Sequence, residues 1–164
     1  MRRIVFMMIM LAAAVCMAAA CSRSDDVPKT RADIYYVDAE INRLLPYETE
    51  IIDADSEHMA YEALDKLISG RDNNEKIRQL LPNDRSCVSV RVFDNTAYVD
   101  LNSKIKENVP FSPDIEKLII YQITNTLTSI KGIRFVRFTV DGEVHKDFMG
   151  FYDMRQTYKF QYPE

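Results

Sequence analysis

The stretch Cys87–Asn102 constrains this chain of 164 residues more than any other. Val88, Val90 and Val92 alternate with Ser89 and Arg91, and Ala97, Val99 and Leu101 alternate with Tyr98 and Asp100. Strict alternation puts one set of side chains on each face of a strand. A two-residue turn at Asp94-Asn95 sets Val92 against Ala97, Val90 against Val99 and Val88 against Leu101. All six apolar residues then share one face, while Arg91 with Tyr98 and Ser89 with Asp100 make the other. A slip of one residue would scatter both sets, so the pattern predicts an antiparallel hairpin with one buried and one solvated face.

The flanking segments supply the rest of a core. Ile34–Val37 and Glu50–Ile52 read as two strands joined across 38–47, with Pro46 marking the bend. Asp55 or Ser56 caps a helix of about 13 residues, favoured by Glu57 in its first turn, whose apolar positions Ala60, Ala63, Leu64, Leu67 and Ile68 lie on one face before Gly70 stops it. Residues 73–81 suggest one further helical turn before Pro82. Ser112-Pro113-Asp114 opens a second helix with a cap, a proline in the first turn and an acid at the positive end of the dipole. Its apolar face runs through Ile115, Leu118, Ile119, Gln122, Ile123, Thr126 and Leu127 to an end near Ser129. A strand over 134–140 follows, with Val136, Phe138 and Val140 inward, and Asp141-Gly142 turns the chain. The order β-β-α-β-β-α-β defines an α/β fold of the α+β type: a two-layer sandwich in which two helices cover one face of a mixed sheet.

The N-terminus is an address rather than part of this fold. Arg2 and Arg3 precede an unbroken apolar run, residues 4–20. As a helix it rises about 25 Å, short of the ~30 Å hydrocarbon layer of a bilayer. A charged start, a short apolar run and small residues at its end describe an export signal. Ala18-Ala19-Ala20-Cys21 resembles the lipobox of bacterial lipoproteins, in which the cysteine thiol is diacylglycerated and becomes the first residue. Ala18 stands where leucine is usual; Cys16 fits less well, because Val15 is bulky where a small residue belongs. An uncleaved anchor helix or ordinary secretion are the competing readings. Lipidation at Cys21 would hold the protein to the outer face of the cytoplasmic membrane through a diacylglyceryl anchor. The polar residues 22–31, containing Pro28, read as a tether reaching at most about 33 Å. The expected organisation is therefore a signal peptide over 1–20, a tether over 21–31, a domain over 32–145 and an aromatic-rich segment over 146–164.

Charge narrows the partners. Without residues 1–20 the chain carries 19 basic and 25 acidic side chains, a net charge of -6. An acidic surface of this kind lacks the field that neutralises phosphates, so nucleic acid is not an expected partner.

Several segments together resemble the GerMN domain of sporulation and spore-germination proteins. They are Glu62–Gly70, Leu81-Pro82, the strand Val88–Phe93, Ala97–Asn102, Tyr121–Leu127, Gly132-Ile133 and Val140-Asp141-Gly142, and the likeness covers roughly residues 32–145, most of the chain beyond the expected signal peptide. The chain departs from the family pattern at Arg71, where proline is common after the glycine, and at Asn102, where serine is common. The resemblance implies a frequently lipid-anchored extracytoplasmic module. Its α-β-β-α-β core, here with extra N-terminal strands, also looks like the ring-building motif of envelope secretion assemblies, a non-catalytic unit that packs against copies of itself or its neighbours.

Reactive chemistry is not signposted. His58 and His145 lie far apart in sequence; Asp53, Asp55 and Glu57 near His58 lack the glycine and spacing of a calcium loop and read as helix-start acids. Cys87 has no predicted basic neighbour to activate it. No phosphate loop, catalytic triad order or cysteine pair is present. The expectation is a protein without enzymatic activity, cofactor or metal. The candidate interaction residues are Arg91, Tyr98 and Asp100 on the solvated hairpin face and Tyr158, Phe160 and Tyr162 in the tail. For the tail two readings stand: an added edge strand or a cover over the polar sheet face, or an exposed aromatic strip that stacks on peptidoglycan, a small solute or a protein. The functional expectation is an envelope module acting by protein–protein contact or self-assembly, with peptidoglycan or solute binding as the alternative.

Overall fold

The computed structural model describes residues 27–70 and 75–162. The expected signal peptide and Cys21 lie outside them, as do residues 71–74. Six strands and two helices form the expected α/β sandwich: β1 (Lys29–Asp38), β2 (Leu44–Ile52), α1 (Ser56–Ser69), β3 (Ile77–Arg78), β4 (Val88–Phe93), β5 (Thr96–Leu101), α2 (Pro113–Thr128) and β6 (Phe135–Val140). The strands divide between two three-stranded sheets, ordered β2-β1-β3 and β4-β5-β6.

The predicted hairpin forms in the predicted register. Val88 pairs with Leu101, Val90 with Val99 and Val92 with Ala97. Asp94 and Asn95 both take positive φ, 44° and 57°, as a two-residue turn matched to strand twist requires. β6 joins β5 in parallel, which brings Val136, Phe138 and Val140 beside Ala97, Val99 and Leu101. The inner face is thus three rows of apolar side chains, on which α1 packs against β4 and α2 against β6.

The N-terminal strands are longer than the apolar runs suggested. β1 starts at Lys29, so residues 29–31 of the expected tether belong to the sheet, paired with Ile52, Ile51 and Glu50. Pro46 does not mark the bend; it sits inside β2 opposite Tyr35. β2 is an edge strand, where a missing N–H costs no ladder bond when it faces outward. The helical turn expected within 73–81 is replaced, over its described part, by β3, which pairs Arg78 with Val37 and Ile77 with Asp38. Two residues paired to an existing strand gain tertiary hydrogen bonds that a lone helical turn would have to nucleate unaided.

Both helices are capped as chemistry dictates, with one exception. Asp55 accepts from the N–H of Glu57 and of His58 at 3.0 and 2.9 Å, and these bonds, that from His58 foremost, hold its carboxyl below the usual range. Gly70, at φ 70°, closes α1. Ser112 occupies the capping position of α2, but its side chain makes no cap hydrogen bond.

α2 departs from the single apolar face expected of it. Besides Ile115, Ile119, Ile123 and Leu127 it buries Glu116, Ile120, Thr124 and Asn125. The reason is its position: it packs on β1 on one side and β6 on another. β1 in turn uses α2 in place of a neighbouring strand. The N–H of Tyr35 donates to Thr126 Oγ1 at 2.9 Å, and the N–H of Asp33 donates to Ser129 Oγ at 3.2 Å. Helix hydroxyls therefore occupy a strand edge that would otherwise invite another chain.

The C-terminal segment closes the fold at the β6 edge. Val136 and Tyr158 exchange backbone bonds of 2.8 and 2.9 Å. Its anchor is Glu116, fully buried in α2, whose oxygens accept from the N–H groups of Phe148, Met149 and Phe151 at 3.2, 2.9 and 2.9 Å. Three convergent N–H groups form a nest for a carboxyl, and no cation pairs with Glu116 among the described residues.

Candidate functional site

The face of β4–β5–β6 turned away from the helices carries the residues left over once the core is filled. Alternation and register set them in three rows. Phe93, Thr96 and Phe135 lie nearest the Asp94-Asn95 turn; Arg91, Tyr98 and Arg137 follow; Ser89, Asp100 and Thr139 come last. Phe93 is 74% exposed, Tyr98 43% and Phe135 39%. Neither Arg91 nor Arg137 pairs with a carboxylate among the described residues. An exposed tyrosine between two unpaired guanidinium groups, bordered by two phenylalanines, offers apolar area and positive charge together. Arg and Tyr in that combination are the residue types that dominate protein interfaces.

Asp100, expected on the same face, is occupied elsewhere. Its Oδ1 accepts from Thr139 Oγ1 at 2.6 Å and from the N–H of Gly142 at 2.8 Å, tying β5 to β6 and to the following turn. Asp141 in that turn accepts from the N–H of Ser103 at 3.1 Å. The contact with Ser103 holds the Asp141 carboxyl below its ordinary range. The acid at Asp100 therefore braces the sheet end, as cross-strand bonding predicts.

The three tail aromatics have three different environments, so they do not form one exposed strip. Tyr158 is buried, its ring 5.4 Å from Phe138 and 5.8 Å from Tyr121. Its hydroxyl donates to the carbonyl of Asp153 at 3.0 Å, and burial pushes that phenol up. Phe160 is half-buried, edge-on to Tyr35. Tyr162 is 81% exposed. The segment does not cover the polar sheet face either; it adds to the β6 edge and packs over α2. The edge-strand expectation describes Tyr158, and an open aromatic describes Tyr162.

The other chemically capable groups are scattered. His58 is exposed on the first turn of α1, and His145 is exposed with Nε2 4.0 Å from Glu143. Two of the three acids around His58 are committed: Asp55 caps α1, and Glu57 accepts from the N–H of Val92 at 2.8 Å. Cys87 is buried, and burial pushes its thiol up, away from nucleophilic character. Among the described residues no group of three His, Cys, Asp or Glu side chains is placed to hold a metal ion, and no helix is long and apolar enough to cross a membrane.

Arg137, Phe93 and Phe135 join the site without having been singled out from the sequence. Alternation within the 134–140 strand carries the signal for Phe135 and Arg137, since the inward set leaves them outward. The pairing of β6 with β5 rather than with β4 is what brings Arg137 beside Tyr98, and no local pattern encodes that choice.

The fold and this surface define a small α/β module whose distinctive chemistry lies on an open sheet face. The chain belongs to the Germane family, sporulation and spore germination, whose pattern matches residues 33–146. Among solved structures it is similar to the first GerMN domain of the sporulation protein GerM from Bacillus subtilis, with 21% identity over 80% of this chain and 96% of that one, at a TM-score of 0.60. The tandem GerMN domains of the same protein give 21% identity over 81% of this chain and 46% of that one, also at 0.60. A crystal structure of a candidate lipoprotein from Clostridium perfringens gives 20% identity over 82% and 89% of the two chains, at 0.54. No match is found among curated proteins.

Proposed function

We propose that this protein is a lipid-anchored, extracytoplasmic module of the cell envelope that acts through protein–protein contact, without catalysing a reaction, in sporulation or germination. The observation that carries the reading is the outer face of β4–β5–β6, where Phe93, Tyr98 and Phe135 stand exposed beside two unpaired arginines. The lipobox-like Ala18–Cys21 and the likeness to a candidate lipoprotein support the anchor. Membership of a sporulation and germination family supports the setting. A diacylglyceryl anchor at Cys21 would hold the module at the outer face of the cytoplasmic membrane, where its partner is another envelope protein or a second copy.

Site-directed photocrosslinking in membranes tests this. A crosslinkable residue at Tyr98 should give a discrete adduct that Phe93→Ala with Arg137→Glu abolishes, while one at Tyr61 on α1 should not. Equal adducts from both positions, or none from Tyr98, would remove the sheet face from the proposal. Mass spectrometry of the mature N-terminus reads the anchor directly; an unmodified Cys21 would refute lipidation.

A further inference from the structure

A groove of about 410 Å3 opens between α2, the β1–β2 turn and the last described residues, and it shares no residue with the outer sheet face. Its size falls in the range of small-molecule sites, ~300–1,000 Å3, and its floor is apolar, with Leu44, Ile115 and Leu118. The charged side chains around it are unequal. Among the described residues, Arg43, Arg78 and Lys117 line it against a single carboxylate, Asp114. Three cations to one acid is a local reversal in a chain of net charge -4, and such a concave patch concentrates positive potential.

These cations are available. Arg43 and Lys117 make no ion pair among the described residues. Arg78 donates from Nη1 to Asn42 Oδ1 at 2.9 Å, which fixes the plane of the guanidinium and leaves its other donors free. Ser112 also lines the groove, and its hydroxyl, expected to cap α2, is not spent on the helix.

The aromatic wall is held from behind. Asn125, fully buried, grips the backbone of Gln161 at two points: its Nδ2 donates to the carbonyl at 2.8 Å, and its Oδ1 accepts from the N–H at 3.0 Å. That clamp positions the next residue, Tyr162, at the rim, with its ring 5.0 Å from Phe160, which packs on Tyr35. Tyr162 thus combines 81% exposure with a fixed base. Anchoring of this kind lowers the ordering cost of binding.

We propose that the groove binds a carboxylate-bearing sugar. The apolar C–H face of the ring lies on Tyr162, its carboxylate is met by Arg43, Arg78 and Lys117, and its hydroxyl or amide groups reach Asn42 and Ser112. A neutral sugar leaves the cations without a partner, and a bare anion leaves the aromatic wall unused, so the combination selects for both features in one ligand. The same chemistry occurs in a wall glycan whose acidic sugars keep a free carboxylate, as in a strand stripped of its stem peptides, and in a free acidic sugar. The inference does not depend on the protein-contact reading, because the two surfaces are separate.

Calorimetric titration of the full chain in detergent micelles tests it, with N-acetylmuramic acid, N-acetylglucosamine and inorganic phosphate as probes. N-acetylmuramic acid should bind saturably and at least about tenfold more tightly than either of the others. Tyr162→Ala and Lys117→Glu should each weaken it about tenfold at an unchanged thermal midpoint, and Tyr98→Ala should leave it alone. Retention on glycan strands of peptidoglycan stripped of their stem peptides by an amidase, competed away by N-acetylmuramic acid, would assign the polymer as source; sugar binding without such retention would assign the free sugar. Absence of binding, equal affinity for the neutral sugar or for phosphate, or indifference to Tyr162→Ala would each overturn the proposal.

Discussion

α1 and α2 have 14 and 16 residues and pack on the same two sheets, yet they use polar side chains in opposite ways. α1 is amphipathic in the ordinary sense. Its six buried residues are apolar, and its carboxylates work from the rim, Glu57 accepting from the N–H of Val92 and Glu62 from the N–H of Ile52, each at 2.8 Å. α2 turns polar groups inward: Glu116 holds the loop at 148–151, Asn125 holds Gln161, and Thr126 holds Tyr35. One helix covers a sheet. The other is the post to which both ends of the domain are tied.

That contrast fixes an order of expected damage. Glu116→Ala should cost most, about 2–6 kcal/mol, because two buried backbone N–H groups lose their acceptor at once, each unmet buried donor costing ~1–3 kcal/mol, and the part-buried N–H of Phe151 loses it with them. Chemical denaturation measures the loss, and limited proteolysis should find cleavage within 146–162 before global unfolding. A loss under about 1 kcal/mol would make α2 an ordinary cover like α1. Glu116→Gln, which keeps one acceptor oxygen, should fall between the two.

Leu127→Ala follows, at about 2–5 kcal/mol, since the side chain is fully buried beneath the sheet. Thr126→Val comes next. It keeps the shape but strands the N–H of Tyr35, for about 1–3 kcal/mol, and hydrogen exchange at Tyr35 should accelerate selectively. If exchange there stays unchanged, β1 does not depend on the helix for its edge.

The same contrast separates what the sequence reveals from what it hides. The 88/101, 90/99 and 92/97 couples are legible because a two-residue turn and period-two alternation leave one consistent register. α1 is legible because its period of 3.6 ends at a cap on each side. The roles of Glu116, Asn125 and Thr126 are not, because each satisfies a partner at least 32 residues away, and a lone glutamate in a first helical turn looks like a favourable dipole charge. Tyr158, Phe160 and Tyr162 alternate as a strand does, but alternation cannot say that the first meets Phe138 and the last meets solvent. The open sheet face was half visible: Arg91 and Tyr98 follow from the hairpin, whereas Arg137 beside Tyr98 follows only from the parallel pairing of β6.

The smallest effect expected is at the start of α1. Asp55 accepts two backbone bonds there, and its carboxyl is held below the ordinary value of 3.8, chiefly by the N–H of His58. A carboxyl whose folded value lies below its unfolded one stabilises the native state fully above the unfolded value and loses that contribution as pH falls through the folded one. The cap should therefore be intact at neutral pH and fade below about pH 4. Asp84 and Asp141 shift in the same direction, and Asp153 is drawn to about 2 by its hydrogen bonds to Arg155, so wild-type acid lability has several contributors. Asp55→Asn isolates one of them, because asparagine caps a helix as well as aspartate but does not titrate. The variant should match wild type at neutral pH and lose slightly less of its thermal midpoint on acidification. An identical loss in both proteins would show that the cap on the one-faced helix carries no pH-dependent share of the fold.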